Sequence, residues 1–389
     1  MTATFSRLAL AAFAAALVFA PHPAQPPAGA QPAPVVPANP MLRVTEVARG
    51  LENPWSLAFL PDGRMLVTER PGRMRLVAAN GELSPPLAGV PAVQARGQGG
   101  LLDVVLAPDF ASSRQIFFSF TQPTAGGART AVASALLDFP GNRLTDVRVI
   151  FAQRDDPPGG NHWGSRLVFA RDGTLFVTLG DRFDHRDRAQ DLGSHLGKIV
   201  RIRSDGSVPP DNPFVGRPGV LPEIWSYGHR NVQGAALHPI TGELWITEHG
   251  PQGGDELNRV LPGRNYGWPV ITHGREYVSG FRIGDGTTRA DVEPSVLQWT
   301  PSIAPSGLAF YTGDAYPEWK GNLFAGALKF RLLTRLELDG NTVRREERLL
   351  NDPGIRIRDV RQGPDGRLWL LDDGDGRVLR LDIVRPATR

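Results

Sequence analysis

The stretch Asn53–Val77, NPWSLAFLPDGRMLVTERPGRMRLV, decides the fold. Leu57 and Phe59, then Met65 and Val67, alternate on either side of Pro61-Asp62-Gly63. Alternation at period two marks strands with one buried face, and Asp-Gly between two such runs is hairpin turn chemistry. The same phrase returns down the chain. Leu101–Phe120 (LLDVVLAPDFASSRQIFFSF) turns at Pro108-Asp109, and Arg166–Gly180 (RLVFARDGTLFVTLG) turns at Asp172-Gly173. Ala235–Glu248 (AALHPITGELWITE) turns at Thr241-Gly242, Gly307–Ala327 has a longer turn, and Arg358–Leu371 turns at Asp365-Gly366. The matching strands start near Leu57, Leu101, Leu167, Ala235, Leu308 and Val360. The spacing is irregular, but each interval can hold a four-stranded sheet and its loops. Self-similarity of this kind predicts an all-β fold, a six-bladed β-propeller of four-stranded antiparallel blades. The run Arg43–Val47, ahead of the first copy, is placed to add the outer strand of the last blade and close the ring.

Composition agrees with many short strands and tight turns. Among 389 residues there are 44 Gly and 35 Pro, and the best helix signal, Arg188–Leu196, is short and carries a glycine. A doubly wound α/β fold, which needs longer helices between its strands, is therefore rejected. The formal charge of +3 comes without a Lys/Arg cluster, which argues against a nucleic-acid partner. With no cysteine, disulfides, zinc-thiolate sites and cysteine nucleophiles are excluded. The apolar run Leu8–Ala20 behind Arg7 is too short to span a bilayer and matches a secretory signal over residues 1–30. Cleavage would follow Ala20 or Ala30. Residues 31–40 are a Pro/Ala-rich tether, the propeller occupies 41–389, and the mature protein is expected without a membrane span, periplasmic or secreted.

In a propeller the loops at one end of the channel converge, so the candidates are loops ahead of each repeat. Arg96-Gly97-Gln98-Gly99-Gly100 offers an amide on a loop that a ligand can approach closely. His162, in Gly159-Gly160-Asn161-His162-Trp163-Gly164, is placed as a general base near neutral pH, although a turn histidine bonded to backbone would look the same. Arg230, in His229-Arg230-Asn231, can clamp an oxyanion or close a blade with a salt bridge. Gly250-Pro251, Asp255, Glu256 and Tyr266 offer oxygen ligands at irregular turns, the kind that calcium takes. Arg356 and Arg358 fall on one face of a strand, where like charges ask for an anion between them. With Arg230 and Lys329, they call for a ligand with several carboxylates.

The phrases NPWSLAFLPDG, GQGGLLDVVLAPDF, HWGSRLVF, SYGHRN, EHGPQGGDELN, NYGWP, GALKF and RIRDV run from Asn53 to Val360. In that order they resemble the soluble, pyrroloquinoline-quinone-dependent aldose dehydrogenases of the glucose/sorbosone dehydrogenase family. The resemblance implies a six-bladed propeller holding pyrroloquinoline quinone (PQQ) and Ca2+. It implies His162 as the general base, and Arg230 and Asn231 beside the reactive carbonyl of the quinone. Gln98 and Tyr277 would face the cofactor, and Lys329, Arg356 and Arg358 would hold its carboxylates. The carbonyls of Gly250 and Pro251 would bind a catalytic calcium, and Glu256 and Tyr266 a second, structural one. The implied reaction oxidises the C1 hydroxyl of an aldose to the lactone by hydride transfer, with electrons leaving to an external acceptor. The expected assembly is a monomer or homodimer.

The sequence departs from the family pattern at Ser165 and Val232, where a glycine and a proline are usual, and at Asn161, where some members carry an acidic residue. Two other readings stand beside this one: a calcium-dependent lactonase-type hydrolase on the same scaffold, and a non-enzymatic binding propeller. The first would need a carboxylate cluster in the channel. The second gives His162, Arg230 and the strand arginines no reason to coincide.

Overall fold

The computed structural model describes residues 35–37, 42–352 and 354–384. The secretory signal expected over residues 1–30 lies outside them. Six antiparallel sheets follow one another along the chain. The short strand β1 (Val35–Pro37) and β2 (Leu42–Arg49) come first. The first blade is β3 (Pro54–Phe59), β4 (Met65–Glu69) and β5 (Arg73–Val77). The second is β6 (Leu101–Leu106), β7 (Gln115–Pro123), β8 (Ala128–Asp138) and β9 (Arg143–Ala152). The third is β10 (Gly164–Phe169), β11 (Leu175–Leu179), β12 (Lys198–Ile202) and β13 (Ile224–Tyr227). The fourth is β14 (Val232–Leu237), β15 (Leu244–Glu248), β16 (Asp255–Val260) and β17 (Leu297–Trp299). The fifth is β18 (Pro305–Phe310), β19 (Leu323–Ala327), β20 (Leu333–Asp339) and β21 (Thr342–Leu349). The last is β22 (Ile357–Gln362), β23 (Leu368–Asp372) and β24 (Arg377–Ile383), with β2 paired antiparallel to β24.

The ring therefore closes as the run Arg43–Val47 predicts, with β2 extending it by one residue upstream and two downstream. Two sheets depart from four strands. The first blade has three, continued only by the bridge Val77–Leu83. The fifth gains β1, parallel to β21, inside the stretch expected as a tether. The helix expected at Arg188–Leu196 is a 3-10 turn over Arg186–Gln190, and the Pro108-Asp109 turn holds the short helix α1 (Phe110–Ser113).

Packing between blades is apolar. Phe117 and Phe151 of the second blade meet Leu167, Leu175, Val177 and Val200 of the third. Each such side chain contributes about 1.5–3 kcal/mol when buried. Towards the axis, β3, β6, β10, β14, β18 and β22 touch in a closed cycle. Their buried faces are polar. Arg166 of β10 pairs with Asp359 at 2.9 Å and Asp103 at 3.4 Å, and Arg361 pairs with Asp359 at 2.8 Å and Asp103 at 3.1 Å. Ser56 of β3 donates to Asp103 at 2.5 Å, and Arg166 Nε donates to the Gln233 carbonyl at 2.7 Å. These bonds tie five of the inner strands together.

Every inner hairpin also carries a register irregularity near the start of its first strand. They fall at Pro54/Ser56, Leu101/Val104, Gly164/Leu167, Val232/Gly234, Pro305/Leu308 and Ile357/Asp359. A bulge bends its strand and re-aims the neighbouring side chain. Six at one end of the channel turn six loops toward a common mouth.

Candidate active site

At that mouth lies a cavity of about 460 Å³ to which every blade contributes. Trp55 and Trp163 form apolar walls, and Gln98 and Gln233 supply amides. Among the described residues four cations line it, Arg70, Lys329, Arg356 and Arg358, against a single lining carboxylate, Asp373. Arg356 and Arg358 do share a face, as period two requires. The anion between them is in part the protein's own: Asp373 lies 3.1 Å from Arg356 and 3.7 Å from Arg358. Arg358 also donates to Gln233 Oε1 at 3.0 Å and leaves its buried Nε without a partner. Burial lowers its pKa to about 10, so it stays charged at neutral pH. Lys329 has no carboxylate partner among the described residues.

His162 stands beside this cavity. Its backbone is left-handed (φ 52°), and its N–H donates to Gln98 Oε1 at 2.9 Å. Gln98 and His162 sit on loops in close contact: a Cβ on Gly97 (φ 61°) would lie 2.5 Å from the Gly160 carbonyl oxygen. Nδ1 of His162 is 2.7 Å from Asp181 Oδ1, and Asp181 also accepts from Trp268 Nε1 at 2.7 Å and the Phe183 N–H at 2.8 Å. An ionised Asp181 holds the proton on Nδ1 and leaves Nε2 as the free lone pair. Burial, then the nearby Arg230 charge, lowers the His162 pKa against the opposing pull of Asp181. The imidazole is therefore neutral at pH 7.

Arg230 lies on the next side of His162. It donates to the carbonyls of His249 at 3.0 Å and Gly250 at 2.7 Å, and to the Tyr277 hydroxyl at 3.0 Å. Its buried Nε has no partner, nor does Nδ2 of Asn231. Asn231 Oδ1 is used, accepting from Gly164 N–H at 3.2 Å and Gln233 Nε2 at 3.1 Å. Tyr277 and Pro251 do not line the main cavity. They border a neighbouring hollow of about 290 Å³ with Phe183, Trp268 and Arg230.

Glu256 and Tyr266 face a third, small hollow with Glu248 and Gly250. Burial and the Glu248 charge raise the Glu256 pKa to about 8. Both carboxylates take hydrogen bonds from Asn258 Nδ2 at 3.1 Å, while Asn258 Oδ1 has no partner. The Tyr266 hydroxyl is already engaged, donating to the Arg259 carbonyl at 2.6 Å and accepting from Leu261 N–H at 2.8 Å. What this residue can offer a cation is its backbone carbonyl.

The family departures acquire physical meaning. Ser165 has φ 85°, a region that favours glycine, so its side chain sits there against strain. Val232 is buried in β14, and Asn161 meets the site through its carbonyl, which accepts from Arg182 Nε.

Arg70, His249 and Asp373 belong to the site and lie outside the loops that precede the repeats. Each follows the second strand of its blade, after Glu69, Glu248 and Asp372. That strand is antiparallel to the first, so its end reaches the same mouth. The end of the second strand was the available signal, since Lys329 also stands just past one, two residues after Ala327 of β19. Asp181, two residues after Leu179 of β11, obeys the same rule.

The model of the glucose/sorbosone dehydrogenase family matches residues 51–380. Aldose sugar dehydrogenase YliI of Escherichia coli (strain K12) is 48% identical over 336 residues, covering 85% of this chain and 90% of the relative. The crystal structure of the soluble aldose sugar dehydrogenase from Escherichia coli in the apo-form matches with a TM-score of 0.86 at 47% identity, covering 88% of this chain and all of that one. The PQQ-bound form of the aldose sugar dehydrogenase from Streptomyces coelicolor matches with a TM-score of 0.72 at 34% identity, over 90% of this chain and 99% of the other. The chain belongs to the glucose/sorbosone dehydrogenase family.

Proposed function

We propose that the protein is a PQQ- and calcium-dependent aldose dehydrogenase that oxidises the C1 hydroxyl of cyclic sugars to the lactone. The observation that carries this reading is the main cavity, with its four cations, two tryptophan walls and a neutral histidine alongside. It fits a flat, acceptor-rich polycarboxylate: the unpartnered Nε of Arg358 asks for an acceptor in the cavity, and Arg230 and Asn231 beside it keep unpartnered donors of their own. Bound PQQ with its calcium would supply the hydride acceptor, a chemistry that no side chain provides.

The chain's own residues do the rest. Arg70, Lys329, Arg356 and Arg358 would hold the carboxylates, with Trp55 and Trp163 excluding water from the faces. Gln98 would contact the polar edge. The carbonyls of Gly250 and Pro251 are hard oxygen donors suited to calcium. Arg230, now on the Gly250 carbonyl, would stabilise negative charge developing nearby. His162 Nε2 would take the proton from the C1 hydroxyl, and Asp181 would stabilise the imidazolium formed. Glu256, with the Tyr266 carbonyl, would hold the second calcium, which would relieve the repulsion between Glu256 and Glu248.

A hydrolase built on a carboxylate-bound metal is disfavoured, because Asp373 is the one carboxylate lining the main cavity among the described residues. The apolar run Leu8–Ala20 would direct the enzyme to the periplasm or outside the cell, where an external acceptor takes the electrons. Among the described residues no helix is long and apolar enough to cross a membrane. The test is reconstitution with calcium and PQQ, following reduction of an artificial acceptor with a panel of aldoses. Absence of turnover with every aldose would sink the dehydrogenase reading.

A further inference from the structure

Two consecutive residues hold the loop that presents His162, and only Asp181 has a role so far. Arg182 follows it, with 1% of its surface exposed. Its guanidinium donates to three backbone carbonyls: Asn161 at 3.1 Å, Gly159 at 2.9 Å and Ala128 at 2.9 Å. The guanidinium carbon also lies 3.2 Å from the centre of the Trp163 ring. No carboxylate pairs with it among the described residues. A guanidinium buried this way is costly, and an apolar side chain would fill the same space at less expense.

Its contacts point to a reason. Asn161, the residue before His162, is bound by its carbonyl, and Trp163, the residue after, by its ring. Gly159, at the start of the loop, is bound too. His162 itself is left-handed (φ 52°), as are Arg182 (φ 62°) and Phe183 (φ 65°). Non-glycine residues keep such a conformation only where surrounding contacts impose it. The guanidinium imposes it here from the other end of the same hairpin, just past β11.

We infer that Arg182 is a positioning residue for the base: it fixes the main chain before His162 and the ring of Trp163 after it, while Asp181 fixes the imidazole. This rests on His162 being the base, as proposed above. The charged and titratable groups acting on His162 are Asp181, which raises its pKa, and Arg230 and Arg182, which lower it. His249 is also within electrostatic reach of His162.

The test compares Arg182→Lys, which keeps the charge but cannot reach three carbonyls in one plane, with Arg182→Gln, which also loses the charge. In the reconstituted enzyme both should lower kcat by about tenfold or more, with KM and half-saturation by PQQ changed less than about threefold. In protein without quinone or sugar, NMR of the His162 ring, assigned by its loss in His162→Ala, should show a higher pKa in Arg182→Gln and little change in Arg182→Lys. Hydrogen exchange at the His162 amide should quicken in both. These two readouts need no turnover, so they decide the inference even where an inactive wild type has already sunk the dehydrogenase reading. Wild-type exchange at His162 in both variants would overturn it. Failure of both variants to fold, or a loss of kcat only in proportion to lost folded protein, would assign Arg182 a merely structural role.

Discussion

At the scale of single residues, the site depends on which groups are kept neutral and which charged. His162 carries a lowered pKa because burial and Arg230 disfavour its cation. The acid limb of kcat/KM should therefore fall below the ordinary histidine value of about 6.5, with activity lost as pH drops through the lowered pKa. A limb above that value would contradict the assignment. His162→Ala should abolish turnover and leave PQQ binding largely intact, since the ring makes no contact with the cations that would hold the carboxylates. Arg358 is the opposite case, a partly buried cation that stays charged and has a free Nε. Arg358→Gln should weaken PQQ binding by about 1.5–3 kcal/mol in an absorbance titration, the range of a hydrogen bond to a charged group. His162 is legible in the sequence because it sits in a glycine-rich phrase beside a strand, Arg358 because it alternates with Arg356, and Lys329 because it follows the fifth repeat. Asp181 is not, since its importance comes from a ring placed by another loop.

At the scale of elements, the inner strands answer a question about what lines a propeller's axis. Asp103, Arg166, Asp359 and Arg361 form a closed set of ion pairs that also accepts the backbone N–H of Leu57 at 3.2 Å and of Leu167 at 2.8 Å. Buried pairs of this kind gain little over apolar packing, but removing one partner strands the other charges. Asp103→Ala should cost about 3–5 kcal/mol in denaturant unfolding, and it should do so without touching the cavity. A loss under about 1 kcal/mol would mean that water screens the set. The hairpins were legible because alternation and Asp-Gly turns are local signals. The ion-pair set was not: Asp103 stands in an apolar run where a single carboxylate reads as an outward-facing residue, and Asp359 stands among arginines that offer it nearer partners. The same limit hid Arg70 and Asp373. Both lie where second strands end, and only the antiparallel return of the hairpin brings them to the mouth. The expected helix at Arg188–Leu196 failed locally, because Gly193 and the turn Asp191–Ser194 interrupt it.

At the scale of the whole molecule, the ring is closed by β2. Its pairing with β24 runs from Leu42 opposite Ile383 to Arg49 opposite Arg377, joining the two ends of the chain into one blade. Without it, β24 would present a row of unpaired backbone groups, and Val378, Leu379 and Leu381 would lose part of their cover. The site feels this directly, because Arg356, Arg358 and Asp373 all belong to the blade that β2 completes. A chain starting after Arg49 should therefore melt about 10 °C or more below one starting at Leu42, and should associate through the open edge. It should also bind PQQ more weakly, although no residue of β2 lines the cavity. Calorimetry and light scattering of the two truncations measure the first effects, and a PQQ titration measures the last. Equal melting temperatures would mean that the blade holds with three strands, as the first blade does. Loss of PQQ affinity without loss of stability would instead place the effect of β2 on the alignment of Arg356 and Arg358 alone.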